Sequence, residues 1–210
     1  MTEQNFSSMR TAMVESQLRT SDVDDPRVIA AMIQVPRENF VPAERRAMAY
    51  IDRTIPLSNG RALNPPLATG RLLKEAKVEP GDRVLLIGAA TGYSAALLSA
   101  LSANVTAVET EDGPPVVGNG ATVVRGPLAA GAPEGAPYDV LLIDGAVEQV
   151  PAALVQQLAD GARVVTGLVE RGVTRLCSGR VVSGVLGLAS LADLEMVVLP
   201  GFATPERFIF

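Results

Sequence analysis

The chain has 210 residues, of which 48% are apolar, and a formal net charge of −5 at pH 7. That length and apolar share predict one folded domain with a substantial core and exclude a disordered chain. The lack of histidine excludes imidazole catalysis and His metal ligands, the single Cys177 excludes an internal disulfide, and the acidic balance argues against nucleic acid as a partner.

Taken in chain order, residues 5–52 read as helical and polar-faced, with Met9, Ala12, Met13, Ser16 and Gln17 at helical spacing. The opening "MTEQNFSSMR" has no apolar signal-peptide core and no stretch has the length and purity of a membrane span, so the expected location is the cytoplasm. "DDPRVIAAMIQV" predicts a second helix with Asp25 as N-cap and Pro26 at its first position, and Pro36 stops it. The segment "AYIDRTIPLSNGRALNPPLATGRLL" is extended, punctuated by Pro and Gly, and enters a helix near Ala68.

From residue 83 the pattern becomes alternating strands and helices: "RVLLIG" strand, "YSAALLSALS" helix, then "VTAVE", "ATVVRG" and "YDVLLID" strands, "VPAALVQQLAD" helix and "ARVVTGLVE" strand. Near-continuous apolar strands predict an α/β fold, a mostly parallel, doubly wound sheet with helices on both faces. The strand-rich tail, "TRLCSGRVVSGVLGLA" and "LEMVVLPGFATPERFIF", adds antiparallel strands, and Cys177 reads as a buried inert thiol within it. One connection is short for a parallel crossover. Between Glu109 and Ala121 lies "TEDGPPVVGNG", too rich in Pro and Gly for a helix; either the usual helix is replaced by a bare loop, or these strands are not neighbours in the usual order.

The candidate site is the turn after the first of these strands. In "VLLIGAATGY", Gly88 and Gly92 allow a sharp turn and close backbone approach at a helix N-terminus, where nucleotide-like cofactors bind. Glu109, ending the next strand, is placed to accept hydrogen bonds from ribose hydroxyls. Ala90 takes a glycine's place in this turn and is tolerable there only at negative φ.

"MVESQL" (13–18), "VPRENFVP" (35–42), "AYIDRTIPL" (49–57), "VLLIGAATGY" (84–93), "APYDVLLID" (136–144) and "VPAALVQQLADGARVV" (150–165) resemble, in order, the motifs of the protein-L-isoaspartate O-methyltransferases. The resemblance implies a Rossmann-like class I methyltransferase forming a single domain over residues 1–210. Residues 1–80 would be a helical substrate-side region and 81–210 the sheet. It further implies S-adenosylmethionine as cofactor and, as substrate, the free carboxylate of isoaspartyl residues in damaged proteins. By resemblance, Gly88, Ala89, Gly92 and Tyr93 form the cofactor turn, Glu109 holds the ribose, Asp144 lies beside the path of the methyl group, and Asn64 stands where the family has a catalytic hydroxyl. Pro151 and the pair Gln157–Leu158 match a family helix and read as packing residues. An acceptor that is already a carboxylate needs no general base, which suits a chain without histidine.

The sequence departs from that pattern in four places. Leu86 replaces an acidic residue that holds the methionine end of the cofactor, Ala90 the second glycine, Pro127 an aspartate that reaches adenine, and Asn64 the hydroxyl. These departures motivate a competing expectation, a family-derived protein that no longer catalyses and serves as a binding or interaction module. A third, an unrelated Rossmann-like NAD enzyme, leaves the N-terminal motifs unexplained.

Overall fold

The computed structural model describes residues 3–101 and 103–204. The last residue of the expected helix "YSAALLSALS", Ser102, and the end of the strand-rich tail, 205–210, lie outside the described residues.

Helix α1 (Glu3–Met13) continues through a π-helical turn, Val14–Leu18, whose buried residues Val14 and Leu18 join the core. Helix α2 (Pro26–Gln34) begins as expected: the Asp25 side chain accepts from the backbone N–H groups of Arg27 and Val28, and Pro26 occupies the first turn. It ends at Val35, whose backbone is extended ahead of Pro36. The extended segment that follows contains a small antiparallel hairpin, β1 (Ile55–Pro56) and β2 (Ala62–Leu63). Helix α3 (Pro66–Ala76) follows directly, two positions before the expected start at Ala68.

The main sheet has seven strands in the order β5-β4-β3-β6-β7-β8-β9. Strands β3 (Arg83–Ile87), β4 (Asn104–Glu109), β5 (Thr122–Arg125), β6 (Tyr138–Val147) and β7 (Leu158–Glu170) run parallel. Strands β8 (Val173–Val182) and β9 (Val185–Asp193) complete the sheet as an antiparallel meander from β7. The short connection is thereby decided: β4 and β5 are parallel neighbours, Glu109 opposite Arg125, joined by a loop in place of a helix.

Helix α4 (Tyr93–Ala100) is buried over Tyr93–Leu98, and α1–α4 pack with Val84, Leu86, Ala107 and Leu142 on one face of the sheet. The other face is covered more thinly. Leu85, Ile87, Leu141 and Ile143 pack there against Leu128, Leu154 and the tail residues Leu199 and Phe202. The expected helix "VPAALVQQLAD" shrinks to a single turn, α5 (Ala152–Val155), because Leu158 is already paired with Tyr138 in the sheet. Gln157 acts in packing: its amide oxygen accepts from the Ala132 N–H and its nitrogen donates to the carbonyls of Ala130 and Ala153. No helix among the described residues is long and apolar enough to cross a membrane.

Candidate functional site

In an open α/β sheet ligands gather at the carboxyl ends of the strands, where strand order reverses. Here the reversal falls at β3, which has β4 on one side and β6 on the other. Every residue of the expected site comes to this edge or directly beneath it.

The turn after β3 has the geometry its glycines predict. Gly88 has φ +81 and Gly92, which caps α4, has φ +97. The N–H groups of Gly88 and Ala89 both donate to the Val108 carbonyl, at 3.0 and 3.1 Å, which ties the turn to β4. Ala90 departs from the expectation of negative φ. It sits at φ +50, in the left-handed region, because its N–H is turned to donate to the Glu109 carboxylate.

Glu109 is the centre of the edge, fully buried and saturated with donors. Arg61 grips it in a two-pronged pair, Nε to Oε1 at 2.7 Å and Nη2 to Oε2 at 3.0 Å. Oε1 also accepts from the Thr110 N–H and hydroxyl, and Oε2 from the Ala90 N–H. Burial pushes the Glu109 carboxyl up, but the Arg61 hydrogen bonds and charge and the two backbone N–H groups outweigh it and hold it below its ordinary value. With about four acceptor positions on a carboxylate, five donors leave none for a ribose.

Asp144, within β6, is also nearly enclosed. It accepts from Asn64 Nδ2 at 2.8 Å and from the Ser94 hydroxyl. Burial raises its pKa, against the lowering effect of Ser94, Asn64 and the charges of Arg37 and Arg61. Asn64 is only 2% exposed and works as a bridge, since its Oδ1 accepts from the Val197 N–H at 2.8 Å. Tyr93 turns into the core, its ring 5.5 Å from Phe40 and under the guanidinium of the fully buried Arg37. Burial pushes the Tyr93 phenol up to about 12.

The surface above the turn is filled by the chain itself. A Cβ on Gly88 would lie 2.9 Å from Leu199 Cδ1 and 3.3 Å from Arg61 Nη2, and one on Gly92 would lie 2.3 Å from the Val117 carbonyl oxygen. The tail that carries Leu199 runs beside β6, with the Ala146 N–H donating to the Val197 carbonyl and the Leu199 N–H to the Ala146 carbonyl. Open space begins to one side, in a cavity of about 560 Å³ whose walls include Phe40, Pro42, Leu57, Thr91, Pro115 and Val117. Among the described residues no group of three or more Asp, Glu, Cys or His side chains could hold a metal ion.

The sequence over residues 8–177 matches the protein-L-isoaspartate(D-aspartate) O-methyltransferase family. The chain belongs to this family. A protein-L-isoaspartate O-methyltransferase of Koribacter versatilis is 35% identical over 205 residues, covering 93% of this chain and 92% of its own. One from Marinobacter nauticus is 35% identical over 209 residues, with 94% and 95% covered. Among solved structures, a protein-L-isoaspartate O-methyltransferase superposes with a TM-score of 0.76 at 22% identity, covering 91% of this chain and 66% of that one. A second, described as a β-aspartate methyltransferase from Plasmodium falciparum in complex with S-adenosyl-L-homocysteine, gives 0.72 at 18% identity, with 92% and 97% covered. At those identities the superpositions establish the shared class I methyltransferase fold.

As arranged here, the residues do not fit a nucleoside cofactor. Glu109 has no free acceptor, Leu199 lies over Gly88, and the loop backbone lies on Gly92. Leu86 is fully buried in the helical face of the core and offers no polar contact, and Pro127 only opens a short 3-10 turn, Leu128–Ala130. The sequence singles out Glu109 and the two glycines but not Arg61, Ser94, Arg37 or Leu199, which the structure packs around the expected site residues. Arg61 follows an Asn59–Gly60 turn, the one hint that it rides on a hairpin; nothing in its neighbourhood points to Glu109.

Proposed function

We propose that this chain is a protein-L-isoaspartate O-methyltransferase that takes S-adenosylmethionine and acts on the free carboxylate of isoaspartyl residues in proteins, in the cytoplasm. The observation that carries the reading is the family match over residues 8–177, which spans the turn, Glu109 and Asp144 together. Gly88, Ala89, Gly92 and Tyr93 are the proposed cofactor turn, Glu109 the ribose acceptor, and Asp144 and Asn64 the polar groups nearest the transfer, with residues 1–80 on the substrate side of a single domain. An isoaspartyl carboxylate is ionised at neutral pH, so no residue is needed to deprotonate it. This agrees with a site that holds no histidine. Leu199 lies over Gly88 and Arg61 fills Glu109, so cofactor binding at this edge requires both to move aside.

A second reading, a family member that binds a partner without catalysis, is favoured by the saturation of Glu109 together with Leu86 and Pro127. Calorimetric titration with S-adenosylhomocysteine, followed by methyl transfer to an isoaspartyl peptide and its aspartyl counterpart, separates the two. Binding with selective methylation of the isoaspartyl peptide is expected. Equal rates on both peptides overturn the repair assignment, and no binding at millimolar ligand overturns the enzyme.

A further inference from the structure

We infer that Arg61 is an internal competitor for the cofactor: its guanidinium occupies the acceptor position of Glu109 that a ribose hydroxyl would need, and its withdrawal sets cofactor affinity. The inference rests on the proposed function and adds to it a residue that limits binding at the same site.

Three observations carry it beyond an ordinary buried ion pair. First, Arg61 is held by Glu109 through Nε and Nη2, but its third guanidinium nitrogen is not matched. Its Nη1 is buried with no hydrogen-bond partner, an orphaned donor that disfavours the closed state and would regain water on leaving.

Second, Arg61 sits on a small hairpin that is separate from the main sheet. It closes the turn of the β1–β2 hairpin through the Arg61 N–H to Ser58 carbonyl bond of 3.1 Å and the Leu57 N–H to Arg61 carbonyl bond of 2.9 Å. The tip, Ser58–Gly60, is exposed, and β1 and β2 pair only with each other. A bond from the Asn59 side-chain amide to the Asp112 carbonyl clasps this tip to the loop that covers Gly92.

Third, ligand-sized space lies next to the clasp. The 560 Å³ cavity has Pro56, Leu57 and Ser58 of the hairpin on one wall and Pro114, Pro115 and Val117 of the loop on another. Its size is within the range of small-molecule sites, roughly 300–1,000 Å³. Moving hairpin and loop apart joins it to the turn at Thr91, which already lines it.

The competition is stoichiometric at one carboxylate. With Arg61 in place Glu109 has no position for a ribose hydroxyl, and with Arg61 withdrawn the donors from Ala90 and Thr110 leave one open on Oε2, so any ligand that uses it loses part of its binding free energy to displacing the guanidinium. Replacing Arg61 with a weaker donor therefore tightens ligand binding while it weakens the free protein. A purely structural pair predicts the second effect without the first.

The test is calorimetric titration of S-adenosylhomocysteine into the full chain and its R61Q and R61K variants, with a melting curve for each. R61Q is expected to bind at least tenfold tighter than the unaltered protein and to melt lower, with R61K between them because it keeps a cation that still competes. If R61Q does not fold, R61K decides the question by the same comparison. Measurable binding that is equal or weaker in the variants overturns the role of Arg61 and leaves the proposed function standing. Binding by none of the three at millimolar ligand overturns the proposed function, and the competition with it.

Discussion

Replacing Glu109 with Gln tests how much of the fold rests on the pair at the strand edge. The substitution leaves Arg61, only 4% exposed, without its counter-charge and turns one carboxylate oxygen into a donor facing other donors. Breaking a buried ion pair from one side costs about 3–5 kcal/mol. The Ala90 and Thr110 N–H groups also compete for a single remaining oxygen, which places the loss toward the upper end of that range. Removing both charges, as in R61M/E109Q, leaves no uncompensated ion, so the double variant is expected to recover at least about 1.5 kcal/mol over the sum of the singles. Urea unfolding followed by far-ultraviolet circular dichroism measures all four proteins, since the chain has no tryptophan to report by fluorescence. An E109Q loss below about 1 kcal/mol, or singles that add without coupling, refutes the account of Glu109 as the saturated hub of this edge.

Other expectations follow from the same region. Glu109 titrates below its ordinary value, so its stabilisation is complete above that value and is lost as pH falls through the folded pKa; acid unfolding curves of the unaltered protein and E109Q should converge there. Asp144 titrates above its ordinary 3.8, so its charged form opposes folding and stability falls as pH rises through its folded pKa, a slope that D144N should remove. Ala90 at φ +50 is strained, and A90G should raise stability by up to about 1 kcal/mol in the same urea assay, the relief of left-handed strain offset in part by glycine's chain entropy. N64A removes both the donor to Asp144 and the acceptor for the Val197 N–H, so it should cost about 1–3 kcal/mol and speed hydrogen exchange at Val197. Unchanged exchange there would mean that the tail is held without Asn64.

What was legible in the sequence is what local chemistry decides. Asp25 and Pro26 start α2 because a cap and a proline act within a few residues, and Gly88 and Gly92 mark the turn because their φ values require it. The loop after Glu109 could be foreseen as non-helical from its prolines and glycines, while only the sheet could show that β4 and β5 still pair. The shortening of α5 was not legible, because Leu158 leaves the helical pattern for a partner, Tyr138, that lies in another strand. Ala90 was misjudged for a related reason: its φ is fixed by a hydrogen bond to Glu109, which local propensity does not contain. The cover of the site was hidden altogether, since Arg61 and Leu199 reach Glu109 and Gly88 from distant segments and carry no motif of their own.

Leu199 comes after every strand of the main sheet in the chain, and that position has a consequence for the order of events during synthesis. The parallel strands β3–β7 and the turn at Gly88 are complete in the growing chain before the residue that lies over them has been added. Until Val197 and Leu199 emerge and bond to Ala146, the nascent protein presents the carboxyl edge of β3 and β6 with one of its two covers missing. Closure over Gly88 by Leu199 is therefore the last contact that the order of synthesis allows at this edge, whereas Arg61 is in the chain before Glu109 itself.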